Sequence, residues 1–180
     1  MNQNKIPIFV RKLIAAEKEA AGKEAKDTEP TPCDPAMDYI PFRKEYYFFY
    51  GTLMDPATLM KVLDLSEEPT LLPTKVMGYY IKLWGKYPAL LDGMPGNWVY
   101  GMAYEVQSQE HLDRLIAYET EKYAIESCGI WPVDSDGSAR DVIGGETFLW
   151  NGKPEELSEG EFSLEEWKRE ENEALANERG

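Results

Sequence analysis

Apolar positions follow one rhythm at the start of the chain and another from residue 45 onward. In the first 26 residues Phe9, Val10, Leu13 and Ile14 fall at helical spacing. The Ala/Glu/Lys-rich stretch Ala15–Lys26 follows, so this segment predicts a helix of modest amphipathicity. Residues 27–41 hold Pro30, Pro32, Pro35 and Pro41, the chemistry of a linker. Glu45–Tyr50 (EYYFFY) is a short, nearly continuous apolar run that stops at Gly51, the pattern of a strand buried on both faces and ending in a tight turn. Asp55 and Pro56 then supply an N-cap and a first helical residue, with Leu59, Met60 and Leu63 on one face.

Further strands are predicted at Lys75–Trp84, Asn97–Val106, Tyr123–Trp131 and Val142–Trp150, punctuated by Gly78, Gly101 and Gly129. Ser108–Tyr118 reads as a short helix with Leu112, Leu115 and Ile116 facing inward. The S-x-x-E pattern of Ser163 and Glu166 opens an acidic, exposed helix at the C-terminal end. Strands outnumber helices and do not alternate with them, so the fold class is α+β with a small mixed or barrel-like sheet. The expected organisation is an N-terminal helix and Pro-rich linker at 1–41, a folded domain at 42–155 and an acidic C-terminal helix at 156–180.

Charge narrows the partners. The net charge of −14 is unevenly spread: residues 1–49 are neutral, residues 50–150 carry −8 and residues 151–180 carry −6. An acidic surface repels nucleic-acid phosphates and anionic lipid headgroups, so neither is an expected partner and a small molecule is. No apolar run has the length of a membrane span, and no signal-peptide pattern is present. A short amphipathic presequence before Glu17 is the alternative to a cytoplasmic location. Cys33 and Cys128 lack metal-ligand spacing and read as two reduced thiols. His111, the single histidine, lies in a polar stretch and reads as a solvated helix residue; neither a metal nor an organic cofactor is expected.

Two segments carry candidate chemistry. At Tyr50-Gly51-Thr52-Leu53 a glycine turn leads into a helix start, leaving backbone amides that favour a carboxylate. At Tyr118–Tyr123, Glu119 follows apolar helix positions and lies among aromatic residues, a setting that raises a carboxyl pKa toward the range of acid–base work. Glu121, beside Lys122, reads as solvated surface.

Taken in order, F-F-Y-G-T-L at 48–53, Tyr87-Pro88, Gly101 with Tyr104, L-x-x-Y-E-x-x-x-Y at Leu115–Tyr123 and a strand ending at Trp150 resemble the gamma-glutamylcyclotransferase-like (AIG2-like) family. Members commonly carry an Asp just after the Leu, where this chain has Ile116 and Ala117. The resemblance implies a small mixed β-barrel with flanking helices and a cavity at one mouth. It also implies that Tyr50, Gly51, Thr52 and Leu53, with Tyr87 and Tyr123, bind a gamma-glutamyl substrate. Glu119 would then move the proton in a cyclisation that releases 5-oxoproline and an amine. Other cyclisation or amine-release chemistry in the same pocket, or a non-catalytic binding protein on this scaffold, are the alternatives.

Overall fold

The computed structural model describes residues 42–178. The expected N-terminal helix, its linker and Cys33 lie outside the described residues. The chain enters at β1 (Glu45–Phe49) and passes through a single 3-10 turn (Thr52–Met54) into α1 (Pro56–Leu63). β2 (Leu72–Met77), β3 (Tyr79–Trp84), β4 (Tyr87–Asp92) and β5 (Trp98–Val106) lead to α2 (Gln109–Glu119). β6 (Tyr123–Pro132), β7 (Ile143–Trp150) and α3 (Leu164–Glu178) complete the order.

Five strands close a barrel in the order β1-β5-β2-β6-β7. Every pairing is antiparallel except β1 with β7, which run parallel, with Phe48 opposite Thr147. Closure leaves the barrel without a free edge, and a barrel of so few strands has an interior that side chains fill.

The composition of β1 follows from its two buried faces. Phe48 and Tyr50 point into a cluster with Val76, Leu90, Val99, Ala103 and Ile130. Tyr47 and Phe49 point the other way, into a second cluster with Leu53, Leu59, Leu63, Val106, Leu115 and Phe148. A strand between two cores needs apolar residues at consecutive positions, because successive side chains alternate faces. Both helices facing the second cluster are capped, the first by the Asp55 that the sequence predicts. Asp55 accepts from the Thr58 amide at 3.0 Å, with Pro56 at the first position, and Ser108 accepts from the His111 amide at 3.2 Å.

Three local expectations need correction. The predicted strand Lys75–Trp84 is two strands in two sheets. Gly78 sits at φ 86°, and the chain there leaves the barrel to form the separate β3–β4 hairpin. β4 itself escaped notice because Pro88 argues against a strand. Proline is tolerated here because β4 pairs only with β3 and is therefore an edge. Ile116 does not face inward: Leu115 is fully buried, whereas Ile116 is 43% exposed.

The last helix is more than an acidic appendage. Its start is capped by Ser163, whose Oγ accepts from the Glu166 amide at 3.3 Å. Before it, Ser158 and Leu83 exchange backbone hydrogen bonds of 2.9 and 2.8 Å, which straps the chain along β3. Lys168 then reaches the buried N-cap Asp55 at 2.6 Å, and Lys86 holds Glu171 at 2.8 Å.

Candidate active site

The turn after β1 opens a cavity of about 280 Å³, at the small end of ligand sites. Met54 and Asp55 donate their amides to the Gly51 and Thr52 carbonyls at 3.0 and 3.1 Å, which closes the 3-10 turn. Gly51, Thr52 and Leu53, whose amides precede that bonding, line the cavity. Gly51 is required by contact: a Cβ there would lie 2.8 Å from Cγ of Pro88 on the opposite wall.

Glu119 is the last residue of α2 and lines the same cavity. Its neighbour Tyr118 shares a 2.8 Å hydrogen bond with Thr52 Oγ1, tying the helix end to the turn across 66 positions of sequence. Thr120, which ends the helix, adopts φ 66° and ψ −178°, a region that β-branched residues avoid. Backbone strain is thus held immediately beside the carboxylate.

Among the described residues, Glu119 is the only charged side chain lining the cavity. Burial pushes its carboxyl up to about 7, and no hydrogen bond or ion pair among the described residues offsets that. Tyr50 and Tyr123 stay neutral. Burial raises Tyr50 well above its ordinary value, helped by the nearby Glu119, and its hydroxyl donates to the Phe148 carbonyl at 2.5 Å. Tyr123 is raised by burial and by Glu119, and donates to the Pro88 carbonyl at 3.0 Å. Glu119 is therefore the one cavity group poised to exchange a proton near neutrality.

All the residues expected to bind or react come together on this wall: Tyr50, Gly51, Thr52, Leu53, Tyr87, Glu119 and Tyr123. Glu121 is exposed, as its neighbour Lys122 suggests. Sequence reasoning left Trp84, Tyr118 and Phe148 out of the lining. Tyr118 stands inside the motif and was legible there. Trp84 and Phe148 gave no local signal, since both read simply as strand residues. Trp150 acts at one remove. Its ring lies 5.5 Å from those of Trp84 and Tyr123 and backs both. His111 is half-buried on α2, away from the cavity lining. Among the described residues no group of three or more His, Cys, Asp or Glu side chains could hold a metal ion, and no helix is long and apolar enough to cross a membrane.

A family model described as gamma-glutamyl cyclotransferase, AIG2-like, matches residues 47–169, well over half of the chain. The chain belongs to this family. The match runs from β1 into α3, so the gamma-glutamyl cyclotransferase, AIG2-like unit includes the strap and the start of the last helix. Two Arabidopsis thaliana members are similar in sequence. Protein AIG2 B is 25% identical over 123 residues, 68% of this chain and 69% of that one. AIG2-like protein A is 29% identical over 124 residues, 68% of this chain and 71% of that one. A solution structure from Arabidopsis thaliana superposes with a TM-score of 0.53 at 24% identity, covering 76% of this chain and 88% of that one. The crystal structure of a mouse AIG2-like protein gives 0.50 at 20% identity, covering 68% and 89%. These structures share the α+β barrel, and the likeness speaks for the fold alone.

Proposed function

We propose that this gamma-glutamyl cyclotransferase-type protein is an enzyme that cyclises a gamma-glutamyl compound, releasing 5-oxoproline and a free amine, with Glu119 as acid and base. The observation that carries the reading is a lone carboxyl, raised to about 7 by burial, in one small cavity with the amides of the Gly51–Leu53 turn.

The turn amides receive the alpha-carboxylate of the glutamyl end. Ionised Glu119 takes a proton from the alpha-ammonium. The freed amine attacks the substrate's own gamma-carbonyl, forming a tetrahedral intermediate. Protonated Glu119 returns the proton to the departing nitrogen as its bond to carbon breaks. After attack the ring nitrogen sheds its second proton, by way of the same carboxylate, to the released amine, which departs as an ammonium; protons then balance and the carboxylate is regenerated. A pKa near neutrality suits a group that must act in both directions. Attack within one molecule gains further from a cavity that holds the chain folded for ring closure. Tyr50, Tyr87 and Tyr123 supply the walls against which the glutamyl methylenes lie.

The test is 5-oxoproline release from a panel of gamma-glutamyl compounds. Glu119→Gln keeps the shape of the side chain but cannot accept the proton, so turnover should fall by about 10²-fold or more. Glu121→Gln should leave it unchanged. Loss of activity in Glu121→Gln with retention in Glu119→Gln would assign the proton transfer to the wrong carboxylate. Absence of release from every compound would sink the cyclotransferase reading.

A further inference from the structure

The outer face of β5 is covered at one end and bare at the other. Val106 is fully buried in a cluster with Leu59 and Leu63 of α1 and Leu115 of α2, and Tyr104 packs against it. Trp98 and Tyr100, which alternate onto the same face, are 39% and 65% exposed. The neighbouring strands extend the bare region. Lys75 of β2 pairs with Tyr100 and with Trp131 of β6, and Met77 pairs with Trp98. The Trp98 and Trp131 rings meet edge to face at 5.2 Å. Trp131 and Val142, itself 52% exposed, crowd the space over Gly129. None of these patch residues lines the cavity. An exposed patch this rich in Trp, Tyr and Met marks a contact surface.

Lys75 is the one charge in the patch. Its ammonium lies 4.5 Å from the Trp98 ring and 5.7 Å from the Tyr100 ring, and it forms no ion pair among the described residues. A lysine without a carboxylate, set among aromatic rings, suits an occupant that brings the carboxylate. Aromatic surfaces also take proline-rich chain, whose polyproline II form is extended beforehand and loses little entropy on docking.

The chain itself holds a segment of that chemistry. Residues 27–41, outside the described residues, contain Pro30, Pro32, Pro35 and Pro41 together with Asp27, Glu29, Asp34 and Asp38, and no lysine or arginine. They join the domain at Phe42, which packs against the cluster that holds Val106. From Val106 to Tyr100 is about 20 Å of strand. Polyproline II advances about 3.1 Å per residue, so about seven residues back from Phe42 span that distance. Pro35 then falls at the Tyr100 row, and Cys33 at the row of Trp98 and Met77. We propose that residues 27–41 dock in cis along this face, with prolines on the Trp98, Tyr100 and Trp131 rings and an acidic side chain on Lys75. The barrel closes through its own strands, so the segment covers a surface and does not complete the core.

Disulfide trapping in the full chain tests this. Met77→Cys places a second thiol where the spacing puts Cys33. Lys61→Cys places one on the exposed side of α1, a helix that shares the cluster with Phe42 and lies off the patch. Cys128 stays in place, because burial pushes its thiol up to about 12 and leaves it little thiolate. Under mild oxidation at low protein concentration, Met77→Cys should close an intramolecular disulfide at least about tenfold faster than Lys61→Cys. Adding Lys75→Glu to Met77→Cys should slow closure about threefold or more. Equal rates for the two thiols, no closure with Met77→Cys, or a rate that Lys75→Glu leaves unmoved overturns the proposal. A Met77→Cys disulfide that forms only between chains also overturns it, and gives the face to a second copy.

Discussion

Glu119 is an unusual residue to keep in a stability-limited fold, because its cost appears whether or not it reacts. A carboxyl whose pKa rises from 4.5 unfolded to about 7 folded binds its proton more tightly in the folded state. Stability is therefore unaffected below the unfolded value, falls as the pH rises between the two values, and stays lowered above about 7. The shift corresponds to a penalty on the order of 2–3 kcal/mol at about pH 8. Glu119→Gln should therefore melt higher than the wild type by about 5 °C or more at about pH 8, with the difference vanishing near pH 4. Glu146 on β7 complicates the wild-type curve, since burial, with Glu45 and Glu126 nearby, pushes it up to about 7 as well. The difference between wild type and variant isolates Glu119, as Glu146 is common to both. Thermal melts across pH check this without any substrate. A variant no more stable at alkaline pH would mean that the cavity hydrates the carboxylate.

At the scale of elements, α3 is joined to the rest by two ion pairs, Lys168–Asp55 and Glu171–Lys86, beside the half-buried Leu164 and Trp167. Asp55 serves two helices, accepting from Thr58 as the N-cap of α1 and from Lys168 of α3. Burial alone would raise its carboxyl, but the hydrogen bonds from Lys168 and Thr58 outweigh that and hold it below the ordinary value. A depressed folded pKa stabilises the fold above the unfolded pKa, and the contribution is lost as the pH falls through the folded one. Lys168 is half exposed, which screens its share to about 1 kcal/mol. Lys168→Ala should lower the melting temperature at neutral pH by about 2–4 °C, with the difference closing in strong acid. Circular dichroism melts at neutral and acid pH would show it. A difference that persists unchanged in acid would place the role of Lys168 in packing instead.

Across the whole molecule, the seven strands among the described residues and the cavity lie between Glu45 and Trp150, and the barrel closes on itself through β1 and β7. The barrel closes through pairings among the described strands. Deleting them should leave a folded protein that melts cooperatively within about 5 °C of the full chain. Aggregation, or a much larger fall in the melting temperature, would make the N-terminal segment part of the core. Residues 50–150 carry −8 of the net charge of −14, and residues 151–180 carry the other −6. Lys86 and Lys122, beside the Tyr87 and Trp84 rings, and Lys168 on α3 are each drawn into pairs with acidic side chains. Among the described residues, none that lines the cavity is cationic.

Local chemistry determined what the residues themselves could state. EYYFFY implied a strand with two buried faces, Asp55-Pro56 and Ser108 implied helix starts, and Glu119 beside apolar helix positions implied a perturbed carboxyl. Each of these depends on neighbours within a few positions, which the sequence displays directly. The break at Gly78 was visible as a glycine but not as a change of sheet, because which strand a segment pairs with is set by closure of the barrel. Pro88 hid β4, since an edge strand is defined by the neighbour it lacks. The seating of Tyr118 on Thr52, Lys168 on Asp55 and the acidic partners on Lys86 and Lys122 joins positions 34 to 113 apart. Only tertiary structure could decide those contacts, because they follow from how the hairpin, the strap and the last helix fold back over the barrel mouth.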